Sequence, residues 1–185
     1  MLLYIGADAY EANGRKGLML GDGGQAAGAA GAFFPEDVTP FTRRPLFLVL
    51  DSPGPTGFQD CKSLFGQPLV VLMAPAETPM EVPSTQAIGS LFNLFLTHPL
   101  HALCAACNIE ELESEVYAAA ESSLSALFGS IFEELSSSEA VDPSIKSMMG
   151  DTVLCNLLFR YVFFSVVAQC HVHFREKPSC CPAIR

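Results

Sequence analysis

The chain has 185 residues, half of them apolar, which is enough for one well-buried core but short for two. Acidic residues outnumber basic residues 20 to 10, and the net charge of −10 leaves no basic surface for phosphates, so we expect neither direct nucleic-acid binding nor attraction to an anionic membrane. The first ten residues lack the basic region of a secretory signal, so we expect an intracellular chain. The seven cysteines are an odd number, so we expect their thiols to be reduced.

Three short apolar runs predict the strands of a small parallel sheet. Leu2–Ile5 is the first, and Leu46–Asp51 and Leu69–Met73 are continuous apolar runs without polar alternation, as in strands covered on both faces. Between the last two, Phe58–Gly66 predicts about two helical turns after a Pro/Gly turn. The connection is long enough for a parallel crossover, so Leu46 to Met73 predicts a βαβ unit.

The segment 13–36 is rich in glycine and alanine and has neither helical nor alternating periodicity. It therefore predicts a long flexible loop, in which only Leu18–Leu20 should be ordered. Gly21–Gly31 spells neither a dinucleotide fingerprint nor a phosphate-binding P-loop, so it predicts no nucleotide site.

Beyond a second loop at Ala76–Ala87, the chain is predicted to be helical. Ile88–Cys107 is an apolar segment that Pro99 should break. Asn108 and Glu111 then predict a capping-box start for the next helix. Apolar residues at steps of three and four along that helix predict one buried stripe: Ile109, Leu112, Val116, Ala120, Leu124, Leu127, Phe128, Ile131 and Leu135. The glutamates that fall on the opposite, wet face are Glu110, Glu113, Glu121 and Glu134.

Two further helices complete the chain. Asp142 and Pro143 are the predicted cap and first position of a short helix, and Gly150-Asp151 is the predicted start of a final one. The run Val153–Phe174 is apolar around most of its circumference, which predicts an interior helix. Arg160 at its middle disfavours a membrane span and should snorkel or meet a carboxylate.

The string His98, His101, Cys104 and Cys107 offers zinc-ligand residue types at even spacing. On a continuous helix each three-residue step turns the side chain by about 300°, and the two ends lie roughly 13 Å apart. Tetrahedral zinc needs all ligands about 2.0 to 2.3 Å from one centre. We therefore predict no metal here and assign core cysteines and hydrogen-bonded histidines, although a break at Pro99 leaves a partial ligand set open.

A second group of possible ligands lies near the C-terminus. Cys170, His171 and His173 are close in sequence, and Cys180 and Cys181 follow within a dozen residues. The spacing indicates no defined geometry, so a loose site stays open but no metal or cofactor is predicted.

Asp51 and Ser52 follow a predicted parallel strand, at the edge where α/β folds place ligands and catalytic carboxylates. A second carboxylate for metal-assisted phosphoryl transfer is missing, and no His or Lys partner can be predicted nearby. We therefore interpret Asp51 as a turn-capping residue and predict no catalytic residue. The alternative is a Rossmann-like α/β enzyme or small-ligand-binding domain with Asp51 at the strand end.

Several long strings closely resemble consecutive segments of the suppressor of cancer cell invasion (SCAI) family. They are DVTPFTRRPLFLVLDS (Asp37–Ser52), LFGQPLVVLMAP (Leu64–Pro75), GSLFNLFLTHPL (Gly89–Leu100) and GDTVLCNLLFRYVFFS (Gly150–Ser165). Their order and spacing agree from Leu2 to Glu176, whereas the tail KPSCCPAIR matches nothing in the family. Family members carry a large helical region before this portion, so the resemblance implies a truncated C-terminal form.

The resemblance implies a transcriptional corepressor that acts by protein–protein interaction. Such a protein would bind the myocardin-related coactivator of serum response factor and so damp Rho-dependent gene expression and cell migration. It would also act with a chromatin adaptor in double-strand-break repair, and it would lie in the nucleus and also in the cytoplasm.

The sequence and the resemblance together predict an α/β fold, with a small, mainly parallel, Rossmann-like sheet and a C-terminal helical layer. We assign residues 1–176 to a single domain and residues 177–185 to an unmatched tail.

Overall fold

The computed structural model describes residues 1–20, 31–83, 89–181 and 183–184. It forms two compact units, one of Met1–Thr78 with Phe174–Arg185 and the other of Pro79–His173. The first holds the sheets and the second is helical, so the predicted α/β class is confirmed. The assignment of residues 1–176 to a single domain stays a prediction.

The first unit contains two sheets. Its strands are β1 (Leu2–Gly6), β2 (Asp8–Ala12), β3 (Arg15–Met19), β4 (Ala32–Phe33), β5 (Leu46–Asp51), β6 (Leu69–Met73) and β7 (Ala183–Ile184). One sheet has the order β1-β5-β6-β7 and the other the order β2-β3-β4. In the first sheet β5 runs parallel to both β1 and β6, while β7 pairs antiparallel with β6.

The parallel pairing of β5 and β6 confirms the crossover predicted from their apolar runs. Leu46 to Leu50 are all at most 1% exposed, as expected for a strand covered on both faces. The connection differs from the prediction, because a 3-10 helix at Thr56–Asp60 stands where two α-helical turns were predicted. A Cβ atom on Gly57 would lie 2.6 Å from the Lys16 carbonyl oxygen, and Phe58 is buried, so this turn is pressed against β3.

The predicted flexible loop over residues 13–36 is wrong for most of its described part. Asn13 and Gly14 have φ values of 54° and 72° and join β2 to β3 in a tight hairpin. An Asn-Gly pair between two strands favours that turn because both of its central residues need positive φ. Leu18 is fully buried and helps to fix β3, and a 3-10 helix occupies Pro35–Arg43. Residues 21–30, which include most of Gly21–Gly31, lie outside the described residues.

One buried cluster of the first unit lies on one side of the parallel sheet. It contains Ile5, Leu18, Val38, Leu46, Leu48, Leu50, Phe58, Val71 and Met73. Residues that are far apart in the chain therefore share one buried cluster.

The second unit is built from helices. They are α1 (Leu91–Thr97), α2 (Pro99–Ala106), α3 (Ser114–Ser137), α4 (Pro143–Met149) and α5 (Thr152–Cys170), and α6 (Val172–Arg175) crosses into the first unit. The predicted break at Pro99 is confirmed. The predicted cap at Asp142 and the predicted helix start at Gly150-Asp151 are also confirmed. The Asp142 carboxylate accepts a hydrogen bond from the Ser144 N–H, and the Asp151 carboxylate accepts from the N–H groups of Val153 and Leu154.

The predicted cap at Asn108 is wrong. Asn108 has a φ of 56°, its N–H donates to the Ala105 carbonyl, and the next N–H, that of Ile109, donates to the Cys104 carbonyl. These two bonds form a Schellman motif, so Asn108 ends α2 and does not start α3. The N-cap of α3 is Glu113.

The predicted interior helix is α5, which ends at Cys170 and does not continue to Phe174. His171 adopts an extended backbone, so the chain leaves the helix axis there. Cys155, Phe159, Tyr161, Phe164 and Ala168 are buried, and the Phe95 and Phe164 rings stack 4.4 Å apart, centroid to centroid. By length and composition alone α5 could also cross a membrane, a test that the core helix of a soluble protein passes too.

Among the described residues Arg160 on α5 meets no carboxylate, so of the two predicted outcomes, snorkelling or pairing with a carboxylate, the second is not found there. Its guanidinium donates to backbone carbonyls at the end of α1. Those carbonyls have no partner within their own helix, and they carry the negative end of the helix dipole.

Candidate functional site

The four residues of the possible zinc string occupy different environments. His98 lies at the break between α1 and α2, and His98, His101 and Cys107 are exposed while Cys104 is buried. Burial raises the pKa of the Cys104 thiol, and the neighbouring Cys107 raises it further, which disfavours the thiolate that zinc binds. Within the described ranges no group of three or more His, Cys, Asp or Glu residues could hold a metal ion. The predicted absence of metal stays a prediction.

The residues of the second possible metal group fall in both units. The rings of His171 and His173 lie 5.6 Å apart, centroid to centroid, beside an exposed Cys170 in the helical unit. Cys180 and Cys181 belong to the first unit, where the Cys181 thiol donates to the Phe174 carbonyl over 3.8 Å. Burial raises the pKa of the Cys181 thiol, and Cys180 adds to the shift. The raised pKa disfavours the thiolate form of Cys181.

Asp51 lies at the carboxyl end of β5, as predicted, and its partner is a residue that the sequence analysis missed. The Tyr4 hydroxyl donates to the Asp51 carboxylate over 2.7 Å. Partial burial, the hydrogen bond and the carboxylate charge, in that order, raise the pKa of Tyr4 above its ordinary value. Because Gly6 pairs with Asp51 in the parallel register, Tyr4 lies two residues back on the adjacent strand, and the register is the signal that would have found it.

Ser52, next to Asp51, is not positioned as a nucleophile. It is 2% exposed, and its hydroxyl lies 3.5 Å from the Pro53 carbonyl, a long contact within its own turn. The Tyr4–Asp51 pair joins the middle of β1 to the carboxyl end of β5. No acid–base partner is found for Ser52 among the described residues. This edge of the sheet has the features of a structural contact.

The third candidate is α3, a helix of 24 residues with no buried side chain. Its half-buried residues recur at steps of three and four and form what we call the inner stripe: Tyr117, Ala120, Leu124, Phe128, Ile131 and Leu135. The C-terminal half of this stripe packs on α5, where the Phe128 and Phe159 rings lie 6.1 Å apart, centroid to centroid. Within the described ranges the contacts of α3 therefore lie along one side of the helix.

A second row on α3, which we call the outer face, is exposed along its whole length. Its members are Val116, Ala119, Ser123, Leu127 and Ser130. At 100° per residue they fall within about 80° of the helix circumference, adjacent to the inner stripe. The sequence analysis placed Val116 and Leu127 in the buried stripe, and this part of the prediction is wrong. Ile109 and Leu112 of that stripe precede the helix and are exposed too.

The stretch of sequence that contains α3 carries charge of one sign. From residue 63 to residue 145 the chain has no Lys or Arg, whereas it has eleven acidic residues: Glu77, Glu81, the eight glutamates from Glu110 to Glu139, and Asp142. The ion pair found in the described part of the chain is Arg15–Glu36, far from this helix in sequence. The α3 glutamates therefore have no cationic partner among the described residues, and the helix presents apolar side chains beside unpaired negative charge.

Comparison with known proteins gives one consistent family. A family model described as "Protein SCAI" matches residues 7–174. "Protein SCAI" of Mus musculus is 35% identical over 142 residues, covering 77% of this chain and 23% of its own length, and that of Homo sapiens is 34% identical with the same coverage. "Protein SCAI homolog" of Dictyostelium discoideum is 27% identical over 149 residues, covering 78% of this chain and 19% of its own. No solved structure matches the chain. The chain thus spans about a quarter or less of the curated relatives it matches.

Proposed function

The chain belongs to the SCAI family, and on that premise we propose that it acts by binding other proteins, in transcriptional corepression, and not by catalysis. The observation that carries the proposal is the family match over residues 7–174. The α3 helix adds physical support, because it combines an exposed row of small and apolar side chains with glutamates that have no cationic partner in the described part of the chain. Exposed apolar side chains beside charge of one sign are typical of surfaces that bind proteins.

We propose further that the partner is the myocardin-related coactivator of serum response factor. Binding would withhold that coactivator from Rho-dependent genes and so reduce cell migration, and a chromatin adaptor of double-strand-break repair would be a second partner. The protein would act in the nucleus and also be found in the cytoplasm. Since the chain covers 23% of its mammalian relatives, these roles rest on the resemblance of the segment to a much longer protein.

The competing function is that of a small-ligand-binding or enzymatic α/β domain with Asp51 at its mouth. Its support is the position of Asp51 at the carboxyl end of β5. Against it stands the Tyr4 hydroxyl, which already occupies one carboxylate oxygen. Saturable binding of a nucleotide, or turnover of a phosphate ester, that is lost in Asp51→Asn would favour this second function.

The direct test is a serum-response reporter in cells that express the chain, together with binding of the purified coactivator to the purified chain. We expect lower reporter output and measurable binding. Leu48→Asp places a charge in the fully buried β5 and serves as an unfolded control that should neither bind nor repress. If the folded wild-type chain neither binds the coactivator nor lowers the reporter at any expression level, the proposed function is wrong.

A further inference from the structure

We propose that the outer face of α3 is a docking surface for an amphipathic helix of a partner protein that has Lys or Arg along one flank. This inference rests on the proposed binding function and adds to it a location and a partner chemistry.

A partner can cover the outer face at a low cost in desolvation free energy. Val116 is 50% exposed and Leu127 is 48% exposed, so both have apolar area to lose. The two serines of the face are already satisfied, because the Ser123 hydroxyl donates to the Ala119 carbonyl over 2.9 Å and the Ser130 hydroxyl to the Ala126 carbonyl over 3.2 Å. Burying these hydroxyls therefore leaves no hydrogen-bond donor unsatisfied.

The shape of the outer face suits a partner helix. The outer face spans residues 116–130, which is about 21 Å along the axis, and its members follow at steps of three, four, four and three. Ala119, Ser123 and Ser130 are small, so a partner helix could approach closely and place its larger side chains between Val116 and Leu127. The α3 backbone is bonded within its own helix, so a partner strand could not add to it by sheet pairing. The spacing of the outer face and its small side chains fit a helix as the occupant.

One flank of the outer face carries negative charge. Glu115 and Glu133 are 18 residues apart, which is five helical turns, so both lie on the same flank of the outer face, about 27 Å from each other. Neither has a cationic partner among the described residues. A partner with Lys or Arg along the matching flank would neutralise both. A second copy of this chain would instead bring like charges together, and its net charge of −10 would add to the repulsion.

The test uses the whole chain and three fluorescent peptides of about 21 residues, long enough to cover the face. The first is a helix former with Leu and Ala on one face and Lys along one flank. The second has Glu in place of each Lys, and the third has the composition of the first in an order without helical periodicity. Fluorescence anisotropy at roughly 0.15 M salt, where weak surface attraction is screened, should show binding of the first peptide only.

Two pairs of variants separate the outer face from general effects. Val116→Gln with Leu127→Gln should weaken binding at least about tenfold, whereas Val166→Gln with Val172→Gln, at valines 53% and 48% exposed elsewhere in the helical unit, should not. Glu115→Lys with Glu133→Lys should weaken it similarly and restore binding of the Glu peptide. Asp8→Lys with Glu77→Lys makes the same change in net charge on exposed residues of the first unit and should leave binding nearly unchanged. Circular dichroism and unfolding curves confirm that each variant is folded.

Three outcomes would overturn the inference: equal weakening by the control pairs, no preference for the Lys peptide, or a wild-type dimer that Val116→Gln with Leu127→Gln dissociates, since the occupant would then be a second copy. Its failure is distinguishable from that of the proposed function. If the coactivator binds wild type and the Val116/Leu127 variant equally, the docking surface is wrong and the proposed function stands. If the coactivator binds neither chain while the Lys peptide binds the outer face, the proposed function is wrong and the surface serves another cationic partner.

Discussion

Arg160 in the middle of α5 donates a hydrogen bond from Nη1 to the Leu96 carbonyl at 2.8 Å, although the two residues are 64 positions apart. The same nitrogen lies 3.0 Å from the Thr97 carbonyl. Both carbonyls are in the last turn of α1, so one side chain satisfies acceptors that the helix itself cannot. This charged contact joins α5 to α1 in addition to the apolar packing of Phe164 on Phe95.

We predict that Arg160→Met lowers the free energy of unfolding by about 1.5 to 3 kcal/mol, because it removes a charge-assisted bond and leaves carbonyls without a donor. Urea unfolding of the purified variant measures the change. Arg44→Met removes an exposed guanidinium from the first unit and should change stability by less than about 0.5 kcal/mol. A similar loss in both variants would show that the bond to α1 is unimportant.

Two glycines should respond to alanine in opposite directions. Gly129 lies within α3 and a Cβ atom there would meet nothing within 4 Å, so Gly129→Ala should stabilise by about 0.5 to 1 kcal/mol through a better helix propensity. A Cβ atom on Gly17 would lie 2.6 Å from the Phe33 carbonyl oxygen and 2.9 Å from the Phe34 ring, so Gly17→Ala should destabilise by about 1 to 3 kcal/mol. Unfolding curves of both variants check the signs, and a destabilised Gly129→Ala would mean that α3 is bent or covered at that point.

The Tyr4–Asp51 pair should make stability fall at alkaline pH. The pKa of Tyr4 is raised in the folded chain above its ordinary value of about 10. The bond therefore stabilises fully below the pKa of the unfolded chain, and this contribution is lost as pH rises through the folded pKa. Between roughly pH 9 and 11 the wild type should lose more stability than Tyr4→Phe, measured as the shift in urea midpoint. Tyr10→Phe, on the neighbouring sheet, should behave like wild type, and an unchanged pH profile in Tyr4→Phe would contradict the prediction.

The purified chain should contain no stoichiometric metal, because the possible ligands differ in exposure and the Cys104 thiol is disfavoured as a thiolate. Elemental analysis after purification under reducing conditions measures this. One zinc per chain that is lost in Cys104→Ser with Cys107→Ser would show that the string binds metal after all.

Alkylation should modify the exposed Cys107 and Cys170 before the buried Cys104, Cys155 and Cys180.

Much of the fold could be predicted because its signals are local. The apolar run of β5 indicated a strand covered on both faces, Pro99 indicated a helix break, and Asp142 and Asp151 indicated caps. In each case the residues that act on one another are within a few positions in the chain. The Asn13-Gly14 hairpin was equally local, and the prediction missed it because the Gly/Ala composition of the longer segment was weighted above that pair.

The remaining features depend on tertiary contacts, which the sequence alone does not specify. Asn108 can cap a helix start or end one, and only the path of the chain after α2 selects the left-handed conformation. Arg160 could have met any of 20 acidic residues, and the packing of α5 beside α1 gave it carbonyls instead. Tyr4 and Asp51 are 47 positions apart in the chain, and the register of two parallel strands brings them into contact. On α3 periodicity fixed which residues share a row, but which row is covered was decided by the position of α5, because burial requires a surface on the other side.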